Sequence, residues 1–149
     1  MKELNLPYYR FRFKNDGTKS LIFDELRKKY LVCSPEEWVR QNLIKYLINE
    51  KNVPSSFISL EKEINLNELK RRYDALIHSH DGSPIMLVEC KAPGIKIKQE
   101  VFTQIAEYNI VFKVPYLFVS NGIQHYVCRI DIEERKIEFL RELPDYQNL

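Results

Sequence analysis

Two runs with strand character, residues 71–79 (RRYDALIHS) and 84–91 (PIMLVECK), are separated by only His80-Asp81-Gly82-Ser83. Asp-Gly is a favoured dipeptide for a tight hairpin turn, so the two runs are read as an antiparallel pair. With Asp81 and Gly82 as a two-residue loop, His80 faces Ser83, and the numbers of opposed residues sum to 163. His78 then faces Ile85, Leu76 faces Leu87, and Asp74 faces Glu89. Opposed residues share a sheet face, with Cβ atoms roughly 4.5–5.5 Å apart. Lys91, two residues beyond Glu89, lies on that face as well.

This pairing is costly. Two carboxylates directly opposite each other repel, and Ala75, Leu76, Leu87 and Val88 around them imply partial desolvation. Positive charge should compensate, from Lys91 or from a divalent cation. Paired carboxylates are oxygen ligands suited to Mg²⁺, which keeps several waters and reaches substrate phosphate. Beside such an ion a lysine can orient or deprotonate an attacking water. The chemistry that follows is phosphodiester hydrolysis.

The rest of the chain supplies a setting. Residues 8–24 read as a hairpin turning at Asp16-Gly17. Ser34 is an N-cap and Pro35 a first helical residue, with Glu36 and Glu37 at the positive end of the helix dipole. Val39, Leu43, Ile44 and Leu47 follow at helical spacing. A strand is expected over 57–64, and NLNELKR (65–71) is a connection of undefined form. A second helix runs from about Lys98 to Phe112, with Gln104, Ile105, Tyr108 and Phe112 on one side. PYLFVS, Asn121-Gly122 and HYVCRID form another hairpin, and 136–142 adds a short strand. The tail, PDYQNL, reads as loosely held. This order predicts one α/β (α+β) domain, a mixed sheet flanked by helices. It divides into an N-terminal hairpin extension (1–33), a core (34–130) and a C-terminal strand and tail (131–149).

Composition narrows the function. The 149 residues carry a net charge of only +2, so any basic surface is local. Three separated cysteines with no CxxC pattern point to reduced thiols in a cytoplasmic protein. No apolar run is long enough for a membrane span.

Asp74, fourteen intervening residues and Glu89-Cys90-Lys91 resemble the D…(D/E)xK signature of the PD-(D/E)xK nucleases. VECKAP (88–93) is similar to the N-terminal nuclease domain of type I restriction enzyme R subunits. Gln104 and Tyr108 fit the QxxxY element of that branch, and PEEWVRQNLIKYLI (35–48) resembles the helix before the site. VSNG (119–122) is also similar. The resemblance spans about 34–130, with its parts in the family's order. It implies a restriction-endonuclease-like αβββαβ core and Mg²⁺-dependent cleavage of DNA, with Mn²⁺ as a substitute. Asp74 and Glu89 would be metal ligands, the Cys90 main-chain carbonyl a further one, and Lys91 would act on the water. Tyr73 stands where the signature's name has proline. R subunits carry a helicase motor after this domain, whereas no Walker A sequence occurs here, so no ATP site is expected. A homodimer or a larger restriction or repair complex is the expected assembly, with no membrane partner.

Several residues carry two readings. On a helical wheel the apolar residues of the first helix centre near Glu36, which makes Glu36 the inward acid, paired with Arg40 at i,i+4; the resemblance implies that an acid of this helix reaches the metal through water. Helix-end charge is the other reading of Glu36. Gln104 and Tyr108 share a helix face and could contact phosphate or order Lys91, or belong to the core edge. Lys96 and Lys98 could hold DNA backbone or be solvated surface. His78 lies roughly 13 Å along the strand from Asp74, so a zinc site is not expected. Cys90 alternates to the opposite face, as a structural thiol. The alternative to an enzyme is a non-catalytic nucleic-acid-binding or assembly module with a nuclease-like fold.

Overall fold

The computed structural model describes residues 1–66 and 69–149, with side chains described outside 62–72, 101, 108 and 110–112. Three short antiparallel strands come first: β1 (Phe13–Asp16), β2 (Lys19–Asp24) and β3 (Lys29–Val32). Helix α1 (Pro35–Glu50) then leads into β4 (Ile58–Leu66), β5 (Leu69–His78) and β6 (Pro84–Cys90). Helix α2 (Gln99–Phe112) carries the chain to β7 (Tyr116–Ser120), followed by β8 (His125–Asp131) and β9 (Lys136–Leu140). Strands β4 to β9 form one mixed sheet in sequence order. β6 and β7 run parallel, as a helical crossover allows, and the other neighbours are antiparallel. The expected αβββαβ core is present.

Each helix covers one face of this sheet. Val39, Leu43 and Leu47 of α1 pack with Ala75, Ile77, Met86, Val88 and Phe118. Phe102, Ile105 and Ala106 of α2 pack with Leu76, Leu87, Leu117 and Val119. Full burial of such side chains contributes roughly 1.5–3 kcal/mol each, which fixes both helices on the sheet. The start of α1 follows the sequence rule. Ser34 Oγ accepts the Glu37 N–H at 3.1 Å, with Pro35 in the first turn.

The turns differ from the sequence expectation. The first hairpin pairs Asp16 with Lys19, so its loop is Gly17-Thr18, with Gly17 at φ +63. β1 starts only at Phe13, and β3 makes a three-stranded sheet of the expected hairpin. Phe11 and Phe13 instead pack on Trp38 of α1, at ring-centroid separations of 5.4 and 6.3 Å. The strand expected over 57–64 extends to Leu66, and β5 begins at Leu69 within the segment left undefined; Asn67 and Glu68 lie outside the described residues.

The β5–β6 loop is also longer than two residues. Ser79 N–H donates to Ser83 O, enclosing His80, Asp81 and Gly82, and the Asp81 carboxylate accepts the Ser83 N–H and both serine hydroxyls. Asp81's carboxyl is lowered to about 2 by these hydrogen bonds, led by that from Ser79. His78 pairs with Pro84 rather than Ile85, and a bulge then shifts the register. Beyond it Ile77 faces Met86, Leu76 faces Leu87 and Ala75 faces Val88. The extra loop residue and the bulge cancel, and the expected register returns where the acids lie.

The tail is held, contrary to expectation. Tyr146 is buried, its hydroxyl donates to His78 O at 2.7 Å, and its N–H donates to Lys51 O. Its aromatic ring, which sequence position alone undervalued, anchors the last turn against the sheet. Among the described residues no helix is long and apolar enough to cross a membrane.

Candidate active site

The site forms where β5 and β6 cease to be regular. Ala75 packs on the α1 side of the sheet, but Tyr73, two residues earlier, packs on the α2 side with Leu76. Alternation therefore breaks at Asp74. Instead of standing off the sheet, the Asp74 carboxylate turns towards β6, and its Oδ2 accepts the Cys90 N–H at 2.7 Å. Glu89 follows directly on the last paired rung, Ala75–Val88, beside Asp74, and is only 7% exposed. Lys91 follows, its main-chain N–H donating to Ser120 O and so extending the β6–β7 ladder by one residue.

On the other flank, β4 and β5 pair Leu60 with Ala75 and Lys62 with Tyr73, which places Glu61 level with Asp74. Glu61 has φ +49, a left-handed conformation that costs a non-glycine residue about 1–3 kcal/mol. Its carboxylate meets two arginines, Arg40 Nη1 at 3.0 Å and Arg27 Nη1 at 3.2 Å. Three neighbouring strands thus contribute one acid each near one another along the sheet: Glu61, Asp74 and Glu89. Sequence reasoning missed Glu61. Only the β4–β5 register could have flagged it, and that depends on a hairpin with no turn signal.

The inward acid of α1 is Glu37, not Glu36. Glu37 is buried and holds Arg40 through two oxygens, with Nη2 at 2.8 Å and Nε at 3.1 Å. The wheel argument failed because α1 is buried on two sides, against the main sheet and against the N-terminal sheet. Its second buried face is polar, carrying Glu37, Arg40 and Gln41, so the apolar residues do not mark its centre. Gln41 Nε2 donates to Glu37 Oε2 at 3.0 Å and to Asp24 Oδ2 at 3.2 Å. Asp24 also accepts the Leu26 and Arg27 N–H groups and the Arg27 guanidinium at 2.7 Å.

Glu36 is exposed, yet it lies within electrostatic reach of the site. Partial burial, then the charge of Asp74, raise its carboxyl above the ordinary range, against Arg40 and Lys91. Asp74 itself is raised, chiefly by burial; the Cys90 N–H, Arg40 and Lys91 oppose that shift without cancelling it. Arg40 Nη1 stands 3.4 Å from Asp74 Oδ1. Burial also pushes the Cys90 thiol well above its usual value, which suits a structural residue and not a nucleophile.

The remaining candidates are spread over the α2 side. Gln104 is exposed while Ile105, Ala106 and Asn109 are buried, so Gln104 lies off the buried face on which the sequence placed it with Ile105. The Tyr108 side chain, like that of Phe112, lies outside the described residues. Lys96 and Lys98 are exposed in the β6–α2 loop. His78 serves the fold, contacting Ser59 Oγ at 3.1 Å and Gly82 O at 3.2 Å, and His80 packs against Phe57 and Tyr146. The VSNG segment is structural too. Asn121 Oδ1 accepts the Ile123 and Gln124 N–H groups, and its amide donates to Ile95 O at 2.8 Å. Gly122, at φ +85, leaves room for Leu4 where a Cβ would stand 2.7 Å from its Cδ2.

The donor set at Asp74 and Glu89 is all oxygen, partly desolvated and flanked by cations, which fits a hard divalent ion of the Mg²⁺ type. Among the described residues no three His, Cys, Asp or Glu side chains converge into a closed metal cage. An ion that keeps its own waters and takes one or two carboxylates does not need one.

Comparison with known proteins places these observations. The family described as type I restriction enzyme R protein N terminus (HSDR_N) matches residues 35–144. No curated protein matches the chain. Among solved structures, a fragment of a protein assigned as an HsdR subunit of a type I restriction enzyme from Vibrio vulnificus YJ016 is similar over 68% of this chain, at 17% identity and a TM-score of 0.45. The similar part spans 22% of that fragment.

Proposed function

Because this chain belongs to the type I restriction enzyme R protein N-terminal family, we propose that it is a metal-dependent nuclease domain hydrolysing phosphodiester bonds in DNA. The observation that carries this reading is the Asp74 carboxylate. It is partly buried, one residue beyond the Ala75–Val88 pair, bonded to the Cys90 N–H, and still raised despite two nearby cations. Such a perturbed carboxyl is one whose ionised form a bound cation would stabilise, and groups of this kind cluster at functional sites.

Asp74 and Glu89, with the Cys90 main-chain carbonyl, would hold the ion, and Glu36 would act through water. When bound, a divalent ion lowers the pKa of its water and offsets charge on the phosphate oxygens. The residues of the chain do the rest. Lys91 orients the attacking water and takes or steadies its proton, and the Cys90 N–H fixes the Asp74 carboxylate. Gln104 and Tyr108 would meet the phosphate from α2, and Lys96 and Lys98 the neighbouring backbone. DNA is the partner, within a homodimer or a larger restriction complex, and ATP is not used by these residues.

The test is cleavage of single-stranded, duplex and branched DNA by purified protein with Mg²⁺ or Mn²⁺. Nicking or cutting that disappears in Lys91→Ala, with the fold intact, supports the reading. Intact substrates under every condition would refute cleavage by the chain alone. One observation favours the second reading, a non-catalytic nucleic-acid-binding module: Arg40 already lends Asp74 a positive charge at 3.4 Å. Binding of DNA with no cleavage and no affinity for Mn²⁺ would select it.

A further inference from the structure

The N-terminal sheet precedes the segment that matches the family, and among the described residues one of its faces is turned away from α1. Ile22 is fully buried and Asp24 is 1% exposed, bonded to Gln41, so this side of β2 faces α1. The register then assigns the opposite face. Lys14 pairs with Leu21 and Leu21 with Val32, Phe23 pairs with Tyr30, and Lys19 pairs with Asp16. Arg12 joins the Phe23 row, its carbonyl accepting the Phe23 N–H.

That face is built of alternating cations and flat apolar groups. The Arg12 guanidinium lies 3.9 Å from the centroid of Phe23, and Lys14 Nζ lies 4.4 Å from that of Tyr30. Phe23 and Tyr30 are themselves edge to face at 5.1 Å. Val32 is 51% exposed and Lys19 is exposed. Charge agrees with this pattern. Residues 1–33 hold eight Lys or Arg against four Asp or Glu, a net +4, whereas the whole chain carries +2. The extension is the basic part of the molecule.

We propose that the outer face of the N-terminal sheet, centred on Arg12, Lys14, Phe23 and Tyr30, binds single-stranded DNA. Arg12, Lys14 and Lys19 take the phosphates, and bases stack on the guanidinium and aromatic layer. A duplex hides its base faces and could use only the cations, leaving Tyr30 and Val32 uncovered. The choice of DNA rests on the nuclease reading; the choice of a single strand rests on the partly exposed rings of Phe23 and Tyr30 beneath Arg12 and Lys14. Asp24, at the end of β2, ties the sheet through Gln41 to α1, so a strand held here is fixed relative to the domain carrying Asp74.

The experiment is fluorescence anisotropy of the full chain with labelled oligodeoxythymidylate in chelator, so that cleavage is absent. Tyr30→Ala weakens binding by about tenfold. Arg12→Ala with Lys14→Ala weakens it by at least as much and lowers the salt dependence by about one unit of slope. Asp16→Lys, which removes the acid of this face, tightens binding, a result misfolding cannot imitate. Binding that is indifferent to Tyr30→Ala, or equal for heparin, duplex and single strand, would overturn the proposal in favour of a general polyanion or acidic-protein surface. Cleavage is read separately after adding Mg²⁺. Binding without cleavage leaves this surface and removes the nuclease reading, whereas cleavage with all three variants binding normally does the reverse.

Discussion

Asp24, buried, and Asp74, partly buried, are carboxylates joined to the same polar network, and their surroundings push them in opposite directions. Burial acts to raise Asp24, but the Arg27 N–H and guanidinium and the Gln41 amide outweigh it and leave the carboxyl below its usual value. At Asp74 burial wins and the carboxyl stays above it. Both lie near arginines, so proximity to positive charge is not what separates them. Arg27 is bound to Asp24 at 2.7 Å and Arg40 is clamped by two oxygens of Glu37, while Asp74 is left with Arg40 Nη1 at 3.4 Å. One acid is satisfied from within the fold. The other has one close main-chain donor, the Cys90 N–H, and a guanidinium at 3.4 Å.

The strongest way to break this comparison is to remove the satisfied acid. Asp24→Ala leaves buried Arg27 and Gln41 groups without their acceptor and lowers stability by about 3–5 kcal/mol, measured by urea unfolding. The pH dependence has a defined sign. A carboxyl held below its unfolded value contributes stability above that value and loses it as pH falls through the folded one. The wild type should therefore lose stability more steeply as pH falls than Asp24→Asn, which starts from lower stability but has no such loss, and the two curves should converge in acid.

At Asp74 the consequences reverse. Lys91→Ala and Asp74→Asn each lower DNA cleavage by about 10²–10³-fold in a gel assay, with the fold unchanged by circular dichroism. Asp74→Asn also raises the Tm of the metal-free protein near neutral pH. A carboxyl raised by burial gives stability that is present at low pH and is lost as pH rises through the folded value, so removing its ionisation removes a cost. An activity loss accompanied by a stability gain is the signature of a functional acid. If Asp74→Asn instead destabilises as Asp24→Ala does, the two acids are alike and the contrast fails.

The smallest effect is expected at Glu36. Because it is exposed and raised partly by Asp74, Glu36→Gln should change Mn²⁺ affinity by only a few-fold, about 1 kcal/mol or less. A loss as large as that of Glu89→Ala would make it a direct ligand.

Much of the fold was legible because local rules agreed with tertiary structure. Ser34-Pro35 starts α1, and strand-like runs at 84–90 and 116–120 became a parallel pair across a helix. The β5–β6 register that brings Asp74 near Glu89 was legible from spacing, although the loop assumed for it was one residue too short. A bulge between Ile77 and His78 restored the register. Such compensation is invisible in sequence, since a slip of one residue would have sent every side chain to the wrong face. The placement of Glu36 as the inward acid failed for a different reason. A helix buried on two sides hides acids as well as leucines, and the apolar residues mark only one of those sides. Glu61 and Arg27 reach the network through a left-handed strand residue and an added sheet, features with no periodic signal.

The most direct test is calorimetric titration of metal-free protein with Mn²⁺ at neutral and mildly acidic pH. The account predicts saturable binding at neutral pH, weakened as protons compete for the raised Asp74 carboxyl, and abolished in Glu89→Ala but retained in Asp24→Asn. Equal binding by wild type and Glu89→Ala, or none by the folded wild type, would contradict it.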